Sequence, residues 1–209
     1  MRYPEVESNV IEFKREIPKN NQIIKTIIGF CNLHGGKLII GVADDRSIVG
    51  LPDDQIEDAM EAIDQSIYDA CSPHILPRLS VQHLADKALL VIEVSEGMNK
   101  PYFLRTEGIE KGTYIRLGRH TMRASSEIIQ ELKWQARGID FEKQPIFNAT
   151  LYDLDQKSFE DFLKNRKSNG HATVDEQTLK AYNLISYDQS KKYPSTLGML
   201  LFGDRKSVV

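Results

Sequence analysis

The chain has 209 residues, 27 Lys plus Arg against 30 Asp plus Glu, and 41% hydrophobic residues. That is enough length and apolar content for one well-cored domain and part of another, and it excludes a disordered chain or a uniformly basic nucleic-acid coat. Two cysteines cannot make a disulfide framework, no apolar run reaches the ~18 residues of a membrane span, and the opening residues lack a signal pattern, so a cytoplasmic protein with no membrane partner is expected.

Val10–Arg15 alternates Ile11 and Phe13 with Glu12 and Lys14, the period of a half-buried strand. Pro18 ends it, and Asn20 or Asn21 is placed to cap a helix carrying Ile23, Ile24, Ile27, Ile28, Phe30 and Cys31. Gly35-Gly36 stops that helix, and Lys37–Val42 reads as a buried strand. Asp44-Asp45-Arg46-Ser47 is a turn, from which Ile48–Leu51 returns as a further strand.

Asp53 opens a second helix, with Ile56, Met60, Ile63 and Ile67 on one side and acids on the other. Residues 51–71 hold seven acids and no Lys or Arg. Leu79–Leu84, Ala88–Val94 and Gly112–Leu117 read as strands, and Ser125 or Ser126 caps a third helix closed by Gly138. The pattern predicts an α+β fold, a mixed or antiparallel sheet packed with helices. Residues 139–150 lack a period and are expected to be a linker. Asp155 then opens a short helix with Phe159, Phe162 and Leu163 inward, and a second follows near Val174–Tyr182. Thr196–Phe202 reads as a buried strand lacking partners, so residues 151–209 are expected to be the truncated start of a second module.

Several segments in this order resemble the Schlafen Alba-like (divergent AAA) domain. They are Glu7-Ser8-Asn9-Val10-Ile11-Glu12-Phe13-Lys14, then Phe30-Cys31-Asn32 with Gly35-Gly36, then Leu38-Ile39-Ile40-Gly41-Val42 with Asp44 and Ile48-Val49-Gly50. Ser72-Pro73, Pro77, Pro101-Tyr102 and Gly112-Thr113-Tyr114-Ile115-Arg116 with Gly118 complete the run. The resemblance covers about residues 5–137 and places a domain at 1–138. Beyond it, Asp153-Leu154-Asp155 and Pro194–Gly203 resemble the region that in bacterial transcriptional regulators leads into a GHKL-like ATPase. Any ATP-binding function would belong to that missing part.

The resemblance implies nucleic-acid binding in a transcriptional regulator, with DNA favoured over RNA and a homodimer left open. The residues supply a mechanism. Residues 100–123 carry six Lys or Arg against two Glu. Arg116, Arg119, His120 and Arg123 are candidates for phosphate contacts and Tyr114 for base stacking, with Lys14 as a further cation. The competing reading pairs Arg116 and Arg123 with the acidic helix.

The alternative function is a metal-dependent nuclease acting on RNA. In family members described as RNA nucleases, two glutamates of the opening motif and the aspartate after the Gly-Val strand form the active site. The matching positions are Glu7, Glu12 and Asp44, which would hold Mg²⁺ or Mn²⁺ to activate water. The competing reading makes Glu12–Lys14 a solvated pair and Asp44 a turn acid.

Two other motifs carry little. Cys31-x-x-His34 with Cys71-x-x-His74 has the makings of a zinc set, but both cysteines fall on apolar helix stripes. Gly35-Gly36-Lys37 leads from helix into strand, the reverse of a phosphate-binding P-loop, so no cofactor is expected in this chain beyond the metal of the alternative reading.

Overall fold

The computed structural model describes residues 2–18, 22–84, 86–166, 174–188 and 190–204. Asn20 and Asn21, expected to cap the first helix, lie outside them. The chain divides into two compact units, Met1–Ala136 and Arg137–Val209.

The first unit is built on a four-stranded mixed sheet. Strand β1 (Ile11–Lys14) leads to helix α1 (Gln22–Asn32), and β2 (Gly36–Ile40) follows. A 3₁₀ turn at Asp53–Gln55 runs into α2 (Ile56–Ala70), and a short β3 (Cys71–Ser72) precedes the hairpin β4 (Arg78–Leu84) and β5 (Lys87–Val94). The sheet order is β1-β2-β5-β4, parallel at β1–β2 and antiparallel elsewhere. The expected mixed α+β architecture is the one observed.

Pleat decides which residues face which layer. Leu38, Ile40, Leu90 and Ile92 point to one side, where they pack with Ile24, Ile27, Ile28 and Phe30 of α1 and Ile63 and Ile67 of α2. Ile39 and Leu89 point to the other side and pack with Phe13, Tyr3, Val42 and Ile48. The alternation read in β1 holds: Phe13 is buried and Ile11 packs beside it, while Glu12 and Lys14 share the opposite face. The residues expected to form a strand at Ile48–Leu51 make only isolated bridges, Ile48 to Val42 and Leu51 to Ala88.

The remaining elements of this unit are β6 (Phe103–Leu104), which pairs with β3, the one-turn helix α3 (Gly108–Gly112), the hairpin β7 (Tyr114–Leu117) and β8 (His120–Arg123), and α4 (Ser126–Ala136). Gly118, at φ +57°, makes the hairpin turn, a backbone conformation that glycine adopts without a Cβ penalty. Ile115 on one face of the hairpin packs with Ile129 and Leu132 of α4.

The second unit holds α5 (Gln156–Arg166), α6 (Glu176–Ala181), the hairpin β9 (Ile185–Asp188) and β10 (Lys191–Pro194), and α7 (Thr196–Phe202). Phe159, Leu163 and Leu184 form its core, with Phe202 edge-on to Phe159. Two expectations are corrected here. The segment 139–150 is hydrogen-bonded into this unit: Ile146 N–H donates to Pro194 C=O, and Thr196 N–H donates to Gln144 C=O. Thr196–Phe202 is a helix, not a strand. Ser195 caps it by accepting from Gly198 N–H at 2.9 Å, and Leu200 and Leu201 are exposed. Among the described residues no helix is long and apolar enough to cross a membrane.

Candidate functional site

All the candidate residues but Asp44 lie where the β7–β8 hairpin crosses α1 beside the sheet edge at β1. Gly29 makes the approach close. A Cβ there would stand 3.2 Å from the Ile115 carbonyl carbon and 3.3 Å from Arg116 Cγ. Asn32, at the end of α1, fixes the same strand. It is fully buried, its amide donates to the carbonyls of Tyr102 (2.8 Å) and Tyr114 (2.9 Å), and its Oδ1 accepts from Tyr102 N–H (2.7 Å).

Tyr114 and Arg116 share the hairpin face turned toward α1, so both are buried. This corrects two expectations. Tyr114 is not free to stack on a base: its hydroxyl donates to Glu107 at 2.9 Å and its ring belongs to the main core. Arg116 cannot reach a phosphate, because its side chain is 0% exposed. Its guanidinium sits over the Phe30 ring, donates to Thr121 Oγ1 (2.9 Å) and Ser8 C=O (3.0 Å), and lies 2.8 Å from Glu12 Oε2. The last contact is an ion pair by distance without hydrogen-bond alignment, and Arg116 Nε has no partner. A long cation entered the interior because a carboxylate was there to meet it.

Glu12 is therefore neither solvated nor free. Its Oε1 accepts from Lys14 Nζ at 2.5 Å and its Oε2 faces Arg116. Glu7 is also engaged. Its Oε1 accepts from Phe13 N–H at 3.0 Å, and its Oε2 lies 3.9 Å from Arg119. Asp44 is exposed in its turn. Among the described residues no three His, Cys, Asp or Glu side chains are grouped to hold a metal ion, so Glu7, Glu12 and Asp44 are not gathered into the expected triad. The carboxylates of β1 serve instead as counter-ions: a divalent ion at Glu12 would have to displace two cations already in place.

The cations left to solvent are those of the hairpin's outer half. Arg119 and Arg123 are 66% and 60% exposed, with the exposed His120 between them. Arg123 lies 3.2 Å from Glu107, not against the acidic α2. Glu107 also faces Lys25 at 3.6 Å, and Lys25 stands over the Tyr114 ring. The Tyr114 hydroxyl chiefly, with lesser help from Lys25 and Arg123, holds the Glu107 carboxyl below its ordinary range against the opposing effect of burial. Three carboxylates thus each face one hairpin arginine: Glu7 with Arg119, Glu12 with Arg116, Glu107 with Arg123. Lys25, Gly29, Asn32, Glu107 and Thr121 are members of this site that the sequence reading missed. Asn32 and Gly29 lie in or beside the quoted Phe30-Cys31-Asn32 segment, and only the register of the hairpin against α1 explains them.

Cys31 and Cys71 are buried in the core, where burial pushes both thiols up to about 12. His74 instead stacks on Tyr68 at 4.2 Å, and His34 lies on the surface beside Glu96.

The family model described as Schlafen, AlbA_2 matches residues 7–125. The chain belongs to this family. The match spans β1 through β8 and so contains the whole hairpin site of this Schlafen, AlbA_2 domain. Family membership points to a nucleic-acid-related function. No curated protein matches the sequence significantly. Among solved structures, the DIP2311 protein of Corynebacterium diphtheriae is 18% identical at a TM-score of 0.47, covering 94% of this chain and 36% of that one. The chain therefore spans about a third of that protein's length. The N-terminal domain of an ATP-dependent DNA helicase RecG-related protein from Nitrosomonas europaea is 27% identical at a TM-score of 0.42, covering 56% of this chain and 84% of that domain.

Proposed function

We propose that the unit formed by residues 1–136 binds nucleic acid through the outer half of the β7–β8 hairpin, with duplex DNA as the favoured target, in a protein that regulates transcription. The observation that carries this reading is the division of labour among the hairpin arginines. Arg116 is spent inside as a structural ion, whereas the side chains of Arg119 and Arg123 are exposed and face carboxylates at 3.9 and 3.2 Å, Arg123 with the Tyr114 hydroxyl beside it. Ion pairs in which the cation is open to water are weak, so a phosphate can replace the carboxylate at little cost. His120 between them, and Lys14 and Lys25 at the flanks, extend the surface available to a phosphate backbone. Binding by so few cations is expected to be modest and salt-sensitive. The nuclease reading gains no comparable support, because its three acids are not assembled.

The test is fluorescence anisotropy on a labelled duplex across a salt series, with a structured RNA in parallel. The Arg119→Ala, Arg123→Ala double variant should bind more weakly and lose about 2 units of salt slope, near 0.9 for each phosphate contact removed. Unchanged affinity and slope would overturn the assignment. Tighter binding to the RNA would keep the surface and change the target.

A further inference from the structure

The two edges of the four-stranded sheet are treated differently. The outer edge of β1 is closed by the chain's own opening segment. Ser8 N–H donates to Ile11 C=O at 2.9 Å, and Phe13 N–H donates to Glu7 Oε1 at 3.0 Å. The outer edge of β4 has no such cover. Its seven residues are largely exposed, and among the described residues no backbone group of β4 bonds to anything but β5. An edge left this way is a template for another strand, and proteins usually blunt it with Lys, Pro, a bulge or a covering loop. The β4 sequence Arg-Leu-Ser-Val-Gln-His-Leu has a single full charge, at its first residue, and pairs with β5 without a bulge.

Which groups face outward follows from the ladder. Lys37 N–H donates to Val10 C=O and Gly41 N–H donates to Lys14 C=O, so the odd residues of β2 face β1 and the even ones face β5. Through Leu38↔Ile92 and Ile40↔Leu90, the even residues of β5 face β2 and the odd ones face β4. Ala88 C=O, which accepts from Leu51 N–H, obeys the same parity. The β4 residues opposite the even positions, Leu79↔Ile92, Val81↔Leu90 and His83↔Ala88, therefore turn their N–H and C=O groups away from the sheet.

Those three residues are symmetric about Val81. We propose that β4 is a homodimer edge, pairing antiparallel with β4 of a second copy across a two-fold axis at Val81. In that register Val81 meets the partner's Val81, and Leu79 meets the partner's His83. Every outward group is used, giving about six hydrogen bonds at two per bonded pair. Val81, 38% exposed in the single chain, gains an apolar cross-strand neighbour. Ser80 falls opposite the partner's Gln82, and Arg78 opposite the partner's Leu84, so no like charges are opposed. Pairing on other centres leaves outward groups unmatched. A strand pair alone buries less than the ~1,200 Å² of a firm interface, so the dimer is weak and concentration-dependent. This inference is independent of the nucleic-acid reading.

The test uses the whole chain in sedimentation equilibrium up to about 1 mM, a range that reports weak association. Val81→Pro is the discriminating variant. Because Val81 N–H faces outward, proline there removes no bond of the ladder with β5 and is tolerated at an edge. Wild type should approach dimer mass at high concentration, and Val81→Pro should remain monomeric with a native circular-dichroism spectrum. If Val81→Pro does not fold, Val81→Lys replaces it, since two lysines at the axis repel. Monomer mass throughout, or dimers that persist in the folded proline or lysine variant, would each overturn the proposal.

Discussion

Arg116, on the inner face of a surface hairpin, points its guanidinium through the gap left by Gly29 to a position 2.8 Å from the Glu12 carboxylate on the edge strand. One ion pair thereby joins the hairpin to the sheet across α1. The two residues that sequence motifs nominate for separate jobs, phosphate contact and metal binding, face each other as counter-ions instead.

Removing one member should therefore strand the other. Arg116→Met leaves Glu12 with Lys14 alone and opens Ser8 C=O. Breaking a buried pair costs about 3–5 kcal/mol, and the 11% exposure of Glu12 together with its remaining partner Lys14 places this one at the low end. Urea unfolding should show a loss near 3 kcal/mol for Arg116→Met and a comparable loss for Glu12→Gln. The double variant should lose clearly less than the two together, because the one ion it leaves unpaired is Lys14, which can turn to solvent. Arg116→Met should leave the salt slope of nucleic-acid binding almost unchanged.

Gly29→Ala tests the packing that admits Arg116. Alanine gains about 1 kcal/mol of helix propensity over glycine. Against that, the new Cβ meets the β7 backbone at 3.2 Å, and β7 cannot retreat freely, because Asn32 holds Tyr114 C=O and α4 packs on Ile115. Overpacking a fixed neighbour costs about 1–3 kcal/mol, so a net loss near 1 kcal/mol is expected by urea unfolding. A variant more stable than wild type would mean that the hairpin shifts easily over α1.

Much of this was legible in the sequence where the signal is local. Alternation at Ile11 and Phe13 gave β1 and its faces, and the apolar stripe of Ile56, Met60, Ile63 and Ile67 gave α2. The site was legible only in part, for two physical reasons. The face of a strand to which Arg116 belongs depends on what covers it, and its cover is Gly29, 87 positions earlier in sequence. A charged residue at such a position reads as solvent-facing unless its buried partner is known, and Glu12 lies 104 positions away. The error at Thr196–Phe202 has a different origin. A seven-residue apolar run fits a buried strand or one side of a short helix equally well, and the cap at Ser195 decides between them.

Glu107 sets an expected pH dependence. Its carboxyl titrates lower in the folded chain than in the unfolded one, first through the Tyr114 hydroxyl and then through Lys25 and Arg123. The unfolded chain therefore takes up this proton first as pH falls. The stabilisation is complete above the unfolded value of about 4.3. It declines as pH drops toward the folded value and is gone below both. Melting temperature followed from pH 6 downward should fall less steeply in Glu107→Gln than in wild type. Parallel curves would show that the carboxyl exchanges these partners for water without loss.

The same residue should limit nucleic-acid binding. Glu107 holds Arg123 at 3.2 Å and Lys25 at 3.6 Å, so in the free domain it competes with phosphate for both. Glu107→Gln keeps an oxygen to accept from the Tyr114 hydroxyl, which preserves the inner half of the contact, and removes the charge that restrains the two cations. It also removes a negative charge that a phosphate backbone would approach. Duplex affinity at low salt should rise several-fold, and the salt slope should steepen by about 1 unit for each cation newly committed to phosphate. In an Arg123→Ala background the gain should shrink to the part owed to Lys25. The opposite result, weaker binding in Glu107→Gln, would mean that the carboxylate aims Arg123 at its target, as a bound arginine is sometimes held by an acid behind it. Anisotropy titrations of the two single variants and the double variant separate competition from aiming, because only competition predicts that removing the acid helps while its arginine is present.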